Sequence, residues 1–290
     1  MAPVDNHTKV LVAPASASKS DCVLTSSALQ ALQAAAARGL NTTECSLDLG
    51  RSRVVVDIDL QGFTHAGVHR PWPEPLRPRS VYWWDGNQLR VASCYDGALI
   101  KLVPTDWGPP TFEIDGIKML PTAHVSPWDD AKRKVALVHP RGARILDCCG
   151  GLGYFAACAL AAGAAQVQSF EKNADVLWLR SLNPWSPRPD PALTVYHNDI
   201  AEVIGELPAS GFDAVLHDPP RFGIAGELYS QQFYDQLARV LRPGGWLFHY
   251  TGTPNKLTSG RNVPAEVSRR LLRAGFNARI EGDGVLARRR

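Results

Sequence analysis

Residues Arg144 to Tyr154, Arg-Ile-Leu-Asp-Cys-Cys-Gly-Gly-Leu-Gly-Tyr, constrain the fold more than any other stretch, because an apolar strand there runs into a Gly-rich turn that opens a helix. Gly151 and Gly153 let backbone approach a ligand where a Cβ would intrude, and the start of the following helix presents unpaired N–H groups. Three later features extend the pattern. Glu171 ends a strand over Gln166 to Phe170, Asp199 follows a strand over Leu193 to Tyr196, and Asp218-Pro219-Pro220-Arg221 closes a strand over Phe212 to Leu216. Ligands of an open α/β sheet bind at the carboxyl ends of its strands, where all four features sit.

A chain of 290 residues has room for a Rossmann-like domain and a smaller one. Apolar content of 45% and charged content of 20% suit a globular protein with a full core, and no apolar run is long enough to span a bilayer. A net charge of +3 is too small to announce nucleic acid by bulk electrostatics. The basic stretches, Arg261 to Arg273 and Arg288 to Arg290, read more simply as a solvated helix face and a tail. Six cysteines form neither a Cys-x-x-Cys pair nor the Cys/His spacing of a zinc site, so no metal is expected and the thiols are expected to be reduced, as in a cytoplasmic protein.

Residues 1–21 are rich in Ala, Ser and Pro without periodicity and read as a mobile tail. The tail has no apolar core of a signal peptide, and Asp5 with the absence of Arg opposes a strong organellar transit sequence. Residues 22–122 read as a small, mostly β domain. It opens with a helix over Leu24 to Arg38, continues in strands over Ser46 to Leu49 and Arg53 to Leu60, and includes a hairpin turning at Asp85-Gly86; His69 to Pro78 reads as a Pro-rich surface loop. Residues 123–290 form the second domain. Ser126-Pro127-Trp128-Asp129 starts a helix, and alternation then predicts helices over Tyr154 to Ala162, Ala174 to Leu182, Ile200 to Leu207, Leu228 to Leu241 and Val263 to Ala274. With a strand over Trp246 to Tyr250 and a terminal antiparallel pair, the fold expected is α/β: a Rossmann-like sheet of seven strands behind a small β domain.

The Gly-rich stretch resembles the first motif of class I S-adenosylmethionine-dependent methyltransferases. Asp147, Gly151 and Gly153 match that motif, and Cys149 occupies its first glycine position. The resemblance implies S-adenosylmethionine as cofactor. It places Asp147 near the amino-acid moiety, Glu171 on the ribose hydroxyls, and Asp199 with Ile200 against adenine, the carboxylate accepting from the exocyclic amine. For Glu171 or Asp199 alone, an acid capping the next helix is the simpler reading; their placement after successive strands favours the ligand. A nicotinamide-binding Rossmann domain carries a similar turn but would not predict Asp-Pro-Pro-Arg.

Asp218, Pro219, Pro220 and Arg221 are the candidate catalytic residues. The segment resembles the Asp/Asn-Pro-Pro-Tyr/Phe loop of amino-methyltransferases acting on RNA or DNA bases, which accepts from the target nitrogen and stacks a ring on a flipped base. Here Arg221 stands in the aromatic position, with Phe222 one step later. The loop also resembles that of pyrimidine C5 RNA methyltransferases, but the Cys nucleophile they need is missing from its expected place. His217 and His249 are candidates for a base or for structural hydrogen bonding. Longer segments, Leu102 to Met119, Pro127 to Asp130 and His217 to Ser230, resemble a family of predicted methyltransferases best populated in archaea. Asp115-Gly116-Ile-Lys-Met119 is also similar to spermidine synthases, whose Gly-rich turn is more acidic. The expected activity is therefore methyl transfer to a nitrogen of RNA. The alternatives are an aminopropyltransferase and a cofactor-binding or RNA-associated scaffold that does not turn over.

Overall fold

The computed structural model describes residues 22–252 and 262–290, and the expected tail over 1–21 lies outside them. The described residues fall into two compact units. One holds 22–130 together with Asp175–Ser186; the other holds Ala131–Ala174, 187–252 and 262–290.

In the first unit Thr25 accepts from the Ala28 N–H at 3.1 Å and caps α1 (Ser26–Ala37). The expected helix start at Leu24 gives way because β1 (Val23–Thr25) pairs with β6 (Val81–Trp84). The second sheet is an antiparallel meander of β2 (Thr42–Cys45), β3 (Val54–Ile58), β4 (Gly62–His65) and β5 (Val68–Pro71). The strand expected over Ser46 to Leu49 is reduced to a single parallel bridge between Asp48 and Val23, within a loop. The Asp48 carboxylate gathers the Arg51 and Ser52 N–H groups and the Ser46 and Ser52 hydroxyls, which competes with any ladder. His69 to Pro71, expected within a loop, form part of β5, an edge strand where the missing proline donor is tolerated. The predicted hairpin joins β6 to β7 (Leu89–Val91), and Asp85 accepts from the Asn87 and Gln88 N–H groups in its turn. A last sheet contains β8 (Ser93–Tyr95), β9 (Leu99–Val103), β10 (Thr111–Ile114) and β11 (Ile117–Lys118).

Ser126 starts α2 (Pro127–Ala136) by accepting from the Asp129 N–H at 2.9 Å, as expected of its place before Pro127. The chain then alternates β12 (Arg144–Asp147), α3 (Tyr154–Ala161), β13 (Gln166–Glu171), α4 (Ala174–Leu182), β14 (Leu193–His197), α5 (Ile200–Val203), β15 (Phe212–His217), α6 (Gln231–Val240), β16 (Leu241–Tyr250), α7 (Val263–Arg273), β17 (Phe276–Glu281) and β18 (Gly284–Arg289), all in the second unit except α4, which from Asp175 on belongs to the first. The sheet order is β14-β13-β12-β15-β16-β18-β17. The first five of these strands run parallel, while β18 is antiparallel to both β16 and β17. This is the Rossmann-like α/β architecture with seven strands. Ile145, Leu146, Val215 and Leu216 are fully buried, as strands covered on both faces require. Gly284 permits the close pairing of β18, since a Cβ there would lie 2.5 Å from the His249 carbonyl.

The helix expected over Leu228 to Leu241 is divided. Gly226–Tyr229 form a 3₁₀ turn, and Ser230 restarts the chain as the cap of α6 by accepting from the Phe233 N–H at 3.1 Å. Among the described residues no helix is long and apolar enough to cross a membrane.

Candidate active site

After β12 the chain builds outward through β13 to β14, then returns to the other side of β12 with β15. The reversal leaves a crevice at the carboxyl ends of these strands, the usual binding place in an open parallel sheet. The Gly-rich turn folds back over the end of β13. The Gly150 N–H donates to the Phe170 carbonyl at 2.7 Å, and the Gly151 N–H donates to Glu171 Oε2 at 2.9 Å. Gly151 (φ +49°) and Gly153 (φ +82°) both adopt the left-handed region, and Gly153 is the cap residue of α3.

Glu171 also accepts from the Asn173 N–H at 2.9 Å, so its carboxylate is anchored from both sides. Asp147 is buried, and its Oδ2 accepts from the Ser169 hydroxyl at 2.7 Å. Its side chain is engaged inside the sheet. Asp199 caps α5 by accepting from the Ala201 N–H at 2.9 Å, and its other oxygen lies 3.3 Å from Lys172 Nζ. The capping role weighed for this acid is thus present. Burial opposes the charge on Lys172, but Asp199 and then Glu227 outweigh it and hold its ammonium above the ordinary value. Ile200 packs its side chain into the core.

Cys149 ties the cradle to the Asp-Pro-Pro loop. Burial pushes its thiol well above the ordinary range, and the negative fields of Glu171, Asp218 and Asp147 add to that. Carboxylates from the ends of three neighbouring strands therefore act on one sulfur. A thiol so placed stays protonated, which removes it as a nucleophile. The loop itself is held by its carbonyls. Tyr229 donates its hydroxyl to the Pro220 carbonyl at 3.0 Å, and the Ile224 and Ala225 N–H groups donate to the Arg221 carbonyl at 2.8 and 3.2 Å. Pro219 is buried and Arg221 exposed. Phe222 lies edge-on to Tyr229, with ring centroids 5.5 Å apart, and packs on the core. Arg221 is consequently the exposed side chain between Asp218 and Phe222.

The two histidines lie beneath the loop and are fully buried. The Tyr234 hydroxyl lies 3.0 Å from His249 Nε2, and His249 Nδ1 lies 2.9 Å from the Tyr250 carbonyl. The carbonyl can only accept, so Nδ1 carries the proton and Nε2 accepts from the tyrosine. His217 Nε2 donates to the Leu228 carbonyl at 3.1 Å by the same logic. Burial lowers His217 to about 4 against the weaker upward pull of that hydrogen bond. His249 is driven well below its ordinary value by burial and then by His217. Both are neutral, structural imidazoles near neutral pH. Sequence reasoning missed Tyr229 and Lys172, whose roles depend on contacts with Pro220 and Asp199 that no local pattern records. Trp185 donates from its indole to the Leu49 carbonyl at 3.1 Å and packs on Trp128 within the N-terminal unit.

Comparison with known proteins adds three findings. No family model matches. Over 198 residues the chain is 41% identical to the uncharacterized protein MJ1233 of Methanocaldococcus jannaschii, covering 68% of each. Among solved structures it is similar to the spermidine synthase of Thermotoga maritima, with a TM-score of 0.55, 18% identity, and 68% of this chain and 72% of that one covered. A spermidine synthase in complex with the transition-state analogue AdoDATO gives a TM-score of 0.53 at 18% identity, covering 68% of this chain and 71% of that one. At such identities the likeness to these enzymes shows a shared fold.

Proposed function

We propose that this chain, which belongs to the same family as the uncharacterized protein MJ1233 of Methanocaldococcus jannaschii, is an S-adenosylmethionine-dependent methyltransferase with a nitrogen acceptor. The carrying observation is the register of the parallel strands: Asp147 of β12 pairs with Ser169 of β13 and Leu216 of β15, so the Gly-rich cradle, Glu171 and the Asp-Pro-Pro loop leave adjacent strands at the same end of the sheet. The residues suit the cofactor: two left-handed glycines without side chains, an anchored carboxylate at Glu171 for a diol, and Asp199 at the end of the next strand. When bound, the cofactor supplies an electrophilic methyl group on a sulfonium. The protein's part is to hold the acceptor nitrogen in line, with Asp218 accepting from its N–H and orienting its lone pair toward the methyl carbon. Positioning of this kind is the main demand, since methyl transfer to nitrogen needs no more than alignment and proton removal.

The acceptor we propose is a nitrogen of RNA, presented at Asp218-Pro219-Pro220-Arg221. The exposed guanidinium of Arg221 supports this reading, because guanidinium planes stack on unpaired bases much as aromatic rings do. Labelled S-adenosylmethionine incubated with the RNA, protein and small-molecule fractions of the protein's own cells tests it. Label in RNA is expected, and label confined to protein or metabolites would end the RNA proposal.

Calorimetry with S-adenosylmethionine tests the cofactor assignment by itself. Folded protein without affinity for the cofactor or its demethylated product would sink it, and a clear preference for the decarboxylated cofactor would move the assignment to aminopropyl transfer. Glu171→Ala is expected to weaken cofactor binding by about 1.5–3 kcal/mol, the scale of a hydrogen bond to a charged group. An unchanged affinity would remove Glu171 from the cofactor site.

A further inference from the structure

Two consecutive prolines leave the segment after β15 without backbone N–H groups at Pro219 and Pro220, so ordinary ladder or turn bonding from those positions is closed to it. Side chains take over. At one end of the segment His217 Nε2 donates to the Leu228 carbonyl at 3.1 Å. At the other end the Pro220 carbonyl accepts from the Tyr229 hydroxyl at 3.0 Å. Leu228 and Tyr229 are adjacent in one 3₁₀ turn, so both ends of the segment are fastened to the same short element.

The fastening lies inside the protein. His217 is fully buried between Phe233 and His249, with ring centroids 5.1 and 4.5 Å away, and Tyr229 is 2% exposed, with the His249 ring 5.2 Å from its own. Loss of His217 would leave the buried Leu228 carbonyl unpaired, and loss of the Tyr229 hydroxyl would unpair the half-buried Pro220 carbonyl; either costs more than losing a fully exposed bond. Asp218 sits between the two fastened points, and its charge is felt at Tyr229.

We propose that His217 and Tyr229 form a clasp across the base of the Asp218–Pro220 segment and act as positioning residues for the Asp218 carboxylate. The acceptor role of that carboxylate rests on the methyltransferase reading; the clasp itself does not. It fixes the segment before any ligand arrives, so no binding energy is spent ordering it.

Tryptic cleavage after the exposed Arg221, followed by mass spectrometry of fragments 1–221 and 222–290, reports how firmly the segment is held. His217→Leu and Tyr229→Phe are expected to be cut there about tenfold faster than the wild type, the consequence of one lost buried hydrogen bond on local opening. His217→Gln places an amide donor where Nε2 stood and is expected to restore resistance to within about twofold of the wild type. Equal cleavage of Tyr229→Phe and wild type would overturn the clasp, as would His217→Gln cleaving as fast as His217→Leu. Should His217→Leu fail to fold by circular dichroism, Tyr229→Phe, which keeps its ring packing, decides the matter. Calorimetry with S-adenosylmethionine on the same proteins separates the two readings. Affinity is expected to be unchanged across the variants, and a wild type that resists trypsin but binds no cofactor would remove the methyltransferase reading while leaving the clasp. In the RNA-labelling assay described above, His217→Leu is expected to lower kcat with the KM for S-adenosylmethionine unchanged, and His217→Gln to recover it.

Discussion

Asp218→Ala is expected to reduce methyl transfer by about a hundred- to ten-thousand-fold, the range spanned by a positioned acid or base, while cofactor affinity stays within about twofold of the wild type. The separation follows from where the residue sits. Glu171 is fastened to the Gly-rich turn at the end of β13, whereas Asp218 opens the loop after β15, on the other side of β12, and shares with Glu171 only the surroundings of Cys149. Asp218→Asn keeps an acceptor oxygen but loses the charge, and an intermediate rate is expected. Single-turnover measurement with labelled cofactor, alongside calorimetry, checks both. A parallel loss of cofactor binding in Asp218→Ala would transfer the residue from the acceptor to the cofactor.

Acid should unfold the second unit earlier than its carboxylates alone would cause. His217 titrates near 4 in the folded protein against about 6.5 when exposed, so between those values the unfolded chain binds a proton that the native state refuses. Stability therefore rises with pH through this window. The contribution is complete above about 6.5 and is lost as the pH falls toward 4, with a size of roughly 3 kcal/mol at about 1.4 kcal/mol per pH unit. His249 is shifted in the same direction and reinforces the effect. Urea midpoints between pH 4 and 7 are expected to fall steeply on acidification in the wild type and less steeply in His217→Gln, which cannot titrate. Identical slopes would show that His217 is not the group responsible.

Much of this architecture was legible because local chemistry and tertiary structure agree in the second unit. Apolar runs ending in Asp147, Glu171 and His217 are strands buried on both faces, and Ser126 before Pro127 and Gly151 with Gly153 announce their helices by residue type. Reading failed where a side chain redirected the backbone. Asp48 collects four donors and turns a strand-like sequence into a loop, and Ser230 interrupts what periodicity reads as one continuous helix. At the site the candidate positions were visible as strand-end residues, but their bonding was not. Asp199 was open to two readings from sequence alone, and its capping bond is a feature only of three-dimensional structure. Tyr229 carried no signal because its partner, the Pro220 carbonyl, lies nine residues earlier and is joined through space.

The segment Asp175–Ser186 lies between two strands of the Rossmann-like sheet in sequence, yet it belongs to the N-terminal unit. There Trp178 meets Trp83 edge-on at 6.0 Å, and Trp185 is held by Trp128 and the Leu49 carbonyl. The chain therefore leaves the sheet-bearing unit and re-enters it partway through. A chain trimmed to begin at Ala131 would keep this helix and its tryptophans while discarding the residues that cover them.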